Sequence, residues 1–399
     1  MTEKQSQPIQ PSIKPPERQS NIELLRIFSI IGVIVLHYNN PIMGGGMNYV
    51  NADSINFYIM HYLQAIFVCA VDTFVLISGY FLCQSTRRNL WRPIELILQL
   101  VLLNLGIYLA SVVIKGKVLS IKTVIGCFVP ANYFVILYST LFIISPFLNI
   151  IVEQKSFNKF MIVLLLLFSI WPTVVDILSE IRGKEIFGLS TIGNWGSQSG
   201  YTIVNFIVIY FVGAWVRKNE ASEYNQAYHM NHAALTYDAD DSTNQSQDRI
   251  GTNRTNRTML LNILTFLVIA LFITFFIIVE ERAGIILRRS STAYFNPLVI
   301  CEAVLLFKVF QDIKIGTVKW INRIAGSTFT VFLFHAYLLK YLNIQNYVNS
   351  AAYIPHLLVS VVVLFGSSYI VYIVYNIVTE SVLKNVKKCI RLPVIDAEK

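Results

Sequence analysis

Charge is scarce in this chain. Only 14% of its 399 residues are Asp, Glu, Lys or Arg, against about 25% in an ordinary soluble domain. Too few charges remain to cover a water-facing globule of this length. Cysteine is sparse as well: Cys69, Cys83, Cys127, Cys301 and Cys389 are scattered in or beside apolar runs, with no CxxC. That pattern excludes a disulfide framework and a cysteine zinc site. The net charge is +9, but no basic segment is interleaved with aromatics in a soluble module, so nucleic acid is excluded as a partner. What abounds is apolar surface, with 55% hydrophobic residues and a mean hydropathy of +0.56.

The apolar residues fall into ten runs, near 21–40, 57–83, 92–114, 132–152, 160–179, 200–216, 259–279, 293–311, 323–344 and 355–381. Most approach or exceed the roughly 20 residues that a membrane helix needs. Lipid offers no partner for unpaired backbone groups, so such runs must be helices or a closed barrel. They do not alternate, which excludes the barrel. The expected fold is therefore all-α, a polytopic integral membrane protein of about ten transmembrane helices. With the N-terminus in the cytoplasm, the inner segments hold 23 of the 32 Lys and Arg residues. The positive-inside bias then places both termini in the cytoplasm.

Residues 1–20 are rich in Pro, Gln and Ser and read as a disordered cytoplasmic tail. Residues 21–383 form one membrane domain, and 384–399 a second cytoplasmic tail. Within the membrane domain, 217–258 is polar without an apolar period and reads as a flexible cytoplasmic loop between helices six and seven. Its HMNH, with His229 and His232, has no further ligand nearby, so no metal site is expected.

Polar residues inside apolar runs point to chemistry. In IELLRIFSIIGVIVLHY, Arg26 and His37 are eleven residues apart, about three turns plus 20°. They share one helix face, displaced by about 16–17 Å. Glu23 lies three residues before Arg26, within pairing reach. Asp72, in the middle of the second run, must face either an ion-pair partner or a polar cavity. Ser78 and Gly79 follow, where small residues let helices approach, and then come Arg87, Arg88 and Arg92. Together these residues outline a path through the bilayer. Arginines at its inner mouth suit a polyanion, and an imidazole in its outer part suits proton transfer.

These segments resemble the membrane-bound acyltransferase-3 family. IELLRIFSIIGVIVLHY is similar to its signature of a basic residue, ten residues and a histidine. AVDTFVLISGYFL is similar to its second-helix pattern, and NYFVILYSTLFIISPFLN to a segment ending in Ser-Pro-Phe-Leu-Asn. GSTFTVFLFHAYLLK is similar to a late helix with a histidine, here His335. The resemblance implies O-acyl transfer, usually of acetyl, from cytoplasmic acetyl-CoA to an extracytoplasmic polysaccharide or lipid-linked glycan. It implies a bacterial plasma membrane, where separate glycan-biosynthesis proteins are further candidate partners. It also implies CoA-phosphate binding by Arg26 and by some of Arg87, Arg88 and Arg92, and catalysis by His37. His335 is a second catalytic candidate or a buried structural histidine. General-base and acyl-histidine routes both remain open. The competing expectation is a transporter or flippase for an anionic lipid or glycan, since buried Arg, Asp and His also mark substrate pathways.

Overall fold

The computed structural model describes residues 18–116, 118–184, 198–235, 244–284, 290–390 and 392–397. The side chains of 198, 223–235 and 244–255 lie outside that description. So do most of the expected N-terminal tail and the His229 and His232 side chains.

The described residues are mostly helical. In order, its elements are α1 (Ser20–Asn39), α2 (Gly46–Tyr49), α3 (Ile55–Phe67), α4 (Ala70–Leu82), β1 (Arg87–Asn89), α5 (Trp91–Lys115), α6 (Ile121–Cys127) and α7 (Tyr133–Glu153). After these come α8 (Phe157–Leu165), α9 (Trp171–Arg182), α10 (Ile203–Leu235), α11 (Asn244–Arg282) and α12 (Pro297–Gln311). The last are α13 (Lys319–Ala325), α14 (Thr328–Leu339), α15 (Tyr353–Cys389) and β2 (Val394–Asp396).

Among the described residues, eight helical stretches are long and apolar enough to cross a membrane; of the ten apolar runs, the sixth and the ninth are not among them. The sixth run belongs to α10, whose apolar part stops at Arg217. The ninth is split between α13 and α14 at Gly326–Ser327, and α14 has only 12 residues, about 18 Å at 1.5 Å per residue. α13 and α14 together nevertheless run the length of α1, from the Ser20–Val318 contact to the His37–His335 contact, and α14 packs against α1, α5 and α15. The segment expected as a loop, 217–258, is helical at both ends, because α10 runs on to Leu235 and α11 begins at Asn244.

Proline sets two local features. Pro172 has no N–H to give the carbonyl four residues back, and a π-helical turn at Leu166–Ile170 joins α8 to α9 there. Pro146, inside α7, frees the Phe142 carbonyl in the same way. The Ser145 hydroxyl donates to that carbonyl at 2.8 Å, so the kink is satisfied internally.

Two glycines decide how α4 meets α10. A Cβ on Gly79 would lie 2.0 Å from the Tyr210 carbonyl oxygen, and one on Gly213 would lie 2.2 Å from that of Leu76. Backbone-to-backbone approach of this kind is how membrane helices pack where no hydrophobic drive acts between them. One apolar core joins α4, α10 and α12, through residues such as Val75, Tyr210 and Phe307. A second joins α1, α14 and α15, through Ile34, Val331 and Tyr353. Outward faces of α11 and α15 expose Leu264, Val268, Phe275, Val362 and Ile377. These are side chains suited to lipid, as a multi-pass membrane protein requires.

Candidate active site

α1 holds its two singled-out residues in different settings. Near its start, the Arg26 guanidinium donates to Glu23 at 3.1 Å, as their spacing predicts, and keeps 33% of its side chain exposed. The same end is tied to α13: the Ser20 hydroxyl donates to Asn322 at 2.9 Å and accepts from the Val318 N–H at 2.7 Å. This brings Arg323 to the neighbourhood of Arg26, and both line one cavity of about 860 Å³.

That cavity has two kinds of wall. Arg18, Arg26, Arg92, Arg323, Lys384 and Lys387 line it together with the carboxylates Glu23, Glu95 and Glu380. Cations are in excess, although Lys387 is paired with Glu95. The far wall is apolar and aromatic, built from Val33, Val71, Phe74, Phe134 and Phe332. Val33 lies seven residues beyond Arg26, about 10 Å along the axis. Ser78 also lines the cavity and meets Tyr138 at 3.2 Å between their hydroxyl oxygens.

Beyond the aromatic wall lie the two histidines. His37 is one turn past Val33, and His335 is three residues past Phe332. Although 298 residues apart in sequence, their rings meet, with His37 Nδ1 2.7 Å from His335 Nε2. The rings are nearly parallel, at 16°. His335 is fully buried, and its Nδ1 sits 2.6 Å from the Val331 carbonyl oxygen. A carbonyl only accepts, so His335 Nδ1 must carry the proton, and in the neutral ring Nε2 is then a lone pair. His37 Nδ1 must therefore donate to it. The remaining nitrogen, His37 Nε2, keeps a lone pair and is the group in this pair that is ready to take a proton.

The three arginines after α4 separate cleanly. Arg92 alone lines the cavity. Arg87 is exposed on β1 and pairs with Asp396 of β2 at 2.9 Å. Arg88 is 4% exposed and donates to Ser145 Oγ and to the carbonyls of Leu82, Ser85 and Arg87. Asn149 bonds the carbonyls of Leu82 and Ser85 as well. The Ser-Pro-Phe-Leu-Asn segment of α7 is thus a bracket for the arginine turn, and Arg88 is its buried bolt.

Asp72 is set apart from these groups. It is 1% exposed, its Oδ2 has no hydrogen-bond partner, and its neighbours Val71 and Phe74 face the cavity in its place. Glu302 on α12 is likewise fully buried, with both oxygens unpartnered. Sequence reasoning missed Arg323, Lys384 and Lys387. Arg323 sits on a short helix that reads as part of a longer apolar run. The lysines close α15 and read as tail, whereas the helix continues to Cys389 and β2 then pairs antiparallel with β1.

A bundle of apolar helices enclosing a cation-lined cavity, with a tautomerically defined imidazole pair beyond it, describes a multi-pass membrane protein with the parts of an enzyme. The chain belongs to the acyltransferase-3 family. The family model, described as an acyltransferase domain, matches residues 19–373, nearly the whole chain, and the protein is thus a membrane acyltransferase. No curated protein and no solved structure matches it.

Proposed function

We propose that the protein is a transmembrane O-acyltransferase that carries acetyl from cytoplasmic acetyl-CoA to a hydroxyl of an extracytoplasmic polysaccharide or lipid-linked glycan. One observation carries this reading: a single cavity begins among Arg26, Arg92 and Arg323 and ends on apolar side chains one turn short of His37. Its cationic mouth suits the phosphates of CoA through charge-assisted hydrogen bonds. The long pantetheine arm suits the distance from Arg26 towards His37. Phe74, Phe134 and Phe332 line the apolar side of the cavity towards His37, and on this reading the acyl thioester passes them to reach the imidazole.

Chemistry then falls to the histidine pair. The acceptor hydroxyl gives its proton to His37 Nε2 as its oxygen attacks the thioester carbonyl. The tetrahedral adduct collapses, the C–S bond breaks, and the departing sulfur takes the proton from His37. An acetyl ester and CoA thiol are the products, with no net proton gained or lost. His335, anchored on Val331, keeps His37 in the tautomer that this step needs.

The test is reconstituted protein with labelled acetyl-CoA and a membrane extract as acceptor. Label should move to glycan, and the His37→Ala protein should move almost none. Flux of a lipid or glycan without any label transfer would instead establish the flippase reading and end this one.

A further inference from the structure

Two cations of the large cavity are engaged by carboxylates of the protein itself. Glu23 meets Arg26 within α1, and Glu95 of α5 meets Lys387 of α15. Among the described residues, no carboxylate lies within ion-pair distance of Arg92, Arg323 or Lys384, which line the same cavity. The Glu95–Lys387 pair differs from its counterpart because it reaches from one helix to another along the wall of the cavity. From this geometry we infer that Glu95 is a built-in competitor of the donor's phosphates, so that a donor engages Lys387 only by displacing Glu95. The inference rests on the acyl-CoA reading above and names the residue that tunes donor selection at that site.

Helical spacing places the competitor. Arg92 and Glu95 are three residues apart on α5, and Lys384 and Lys387 are three apart on α15, so each couple shares one face. All four side chains line the cavity. Glu95 thus sets a negative charge one turn from Arg92, among groups that otherwise attract phosphate. As a fastener the pair adds little. Glu95 is 25% and Lys387 41% exposed, and a pair so wetted is screened while it holds two long side chains in one geometry. The same two helices are joined by other means. β1, just before α5, pairs with β2 beyond the end of α15. Arg87 meets Asp396 at 2.9 Å, and the Ala397 N–H donates to the Thr86 carbonyl at 3.3 Å.

The carboxylate therefore matters more to a ligand than to the fold. Acetyl-CoA carries a diphosphate and a further phosphate on its ribose, so it draws on several cations at once. A thioester with a single phosphate can rest on the arginines and leave Lys387 to Glu95. A donor with more phosphates reaches further along the cations of the cavity. There it meets a carboxylate that repels it and holds the lysine it would use. Glu95 thus weakens polyphosphate donors selectively. CoA departs with the same phosphates that acetyl-CoA brought, and tightness shared by donor and product does nothing for the chemical step. A competitor at Lys387 lowers that shared tightness and eases release of CoA, a step that limits turnover in many enzymes.

Calorimetry on the full-length protein in phosphatidylcholine nanodiscs, at fixed ionic strength, tests this with acetyl-CoA, CoA and S-acetyl-phosphopantetheine. The Glu95→Gln protein should bind acetyl-CoA and CoA roughly fivefold tighter or more, the effect of one unit charge at about 4 Å even in the dielectric of water. Its affinity for the single-phosphate thioester and its thermal midpoint should stay near the wild-type values. Lys387→Gln should weaken acetyl-CoA and CoA together. Unchanged acetyl-CoA binding in the Glu95→Gln protein overturns the competitor, and so does equal tightening of the single-phosphate probe. Weaker binding with a lowered thermal midpoint makes the pair a fastener and overturns it too, as does a lack of acetyl-CoA binding to either protein. Tighter acetyl-CoA and CoA binding in the variant, with no acetyl transferred by the wild type, leaves the competitor standing and removes the acyl-transfer reading.

Discussion

The two ends of α1 are built to opposite rules. Around Arg26, long charged side chains border an open cavity of about 860 Å³, and the guanidinium stays a third exposed. Around His37, a ring is fixed against a fully buried partner whose own proton is committed to a backbone carbonyl. The first arrangement tolerates a large, variable, water-bearing ligand. The second holds one lone pair in one place. The open end and the rigid end are thus separated along one helix, with the aromatic side chains of Phe74, Phe134 and Phe332 lining the cavity between them; on the proposed function the first binds and the second makes the bond.

Breaking the rigid end should cost most. His37→Ala should lower transfer by about 10²–10⁴, the usual contribution of a general base, with the Kd for acyl-CoA unchanged; a label-transfer assay beside a binding assay checks both. His335→Ala removes the acceptor for His37 Nδ1, a loss of roughly 1.5–3 kcal/mol, or about tenfold to a hundredfold in kcat. A KM effect in place of a kcat effect would show that His335 acts on binding instead.

At the open end the effects are smaller and fall on affinity. Arg92→Ala or Arg26→Ala should raise the acyl-CoA KM about tenfold and leave kcat near its starting value. Arg88→Ala sharpens the contrast. It strips hydrogen bonds from a buried turn, so thermal unfolding in detergent should come at markedly lower temperature, by a loss of about 1–3 kcal/mol. Equal stability for the Arg88→Ala and Arg92→Ala proteins would contradict their separation. The smallest change belongs to the aromatic wall. Phe332→Ala should improve use of butyryl-CoA relative to acetyl-CoA by only a few-fold to tenfold, given about 0.8 kcal/mol per accommodated methylene, read as a ratio of kcat/KM values.

The alignment of the two ends along α1 was legible in the sequence. Helical period alone puts Arg26 and His37 on one face, because eleven steps of 100° nearly close on themselves, and Glu23 pairs with Arg26 as its spacing demands. Period does not say which helix a face meets, so the contact between His37 and His335 had no signal in the spacing of either. The arginines were ambiguous for a different reason. A basic turn next to a membrane looks alike whether its side chains bind ligand, cap carbonyls or lie on a surface. Only the packing of Ser145 and Asn149 against the turn tells Arg88 from Arg92. A hydropathy run registers apolar residues without registering a break, so the interruption at Gly326–Ser327 inside the ninth run had no signal.

The pairing of β2 with β1 has a practical consequence. It closes a loop in which the last helix, one wall of the large cavity, is stitched back to the turn that positions Arg92. Trimming the chain after Cys389 deletes no residue from the cavity wall, yet it unfastens that stitch. Such a truncation should therefore mimic a donor-binding defect, and a map of function drawn from end deletions would credit the final strand with a role that belongs to its neighbours.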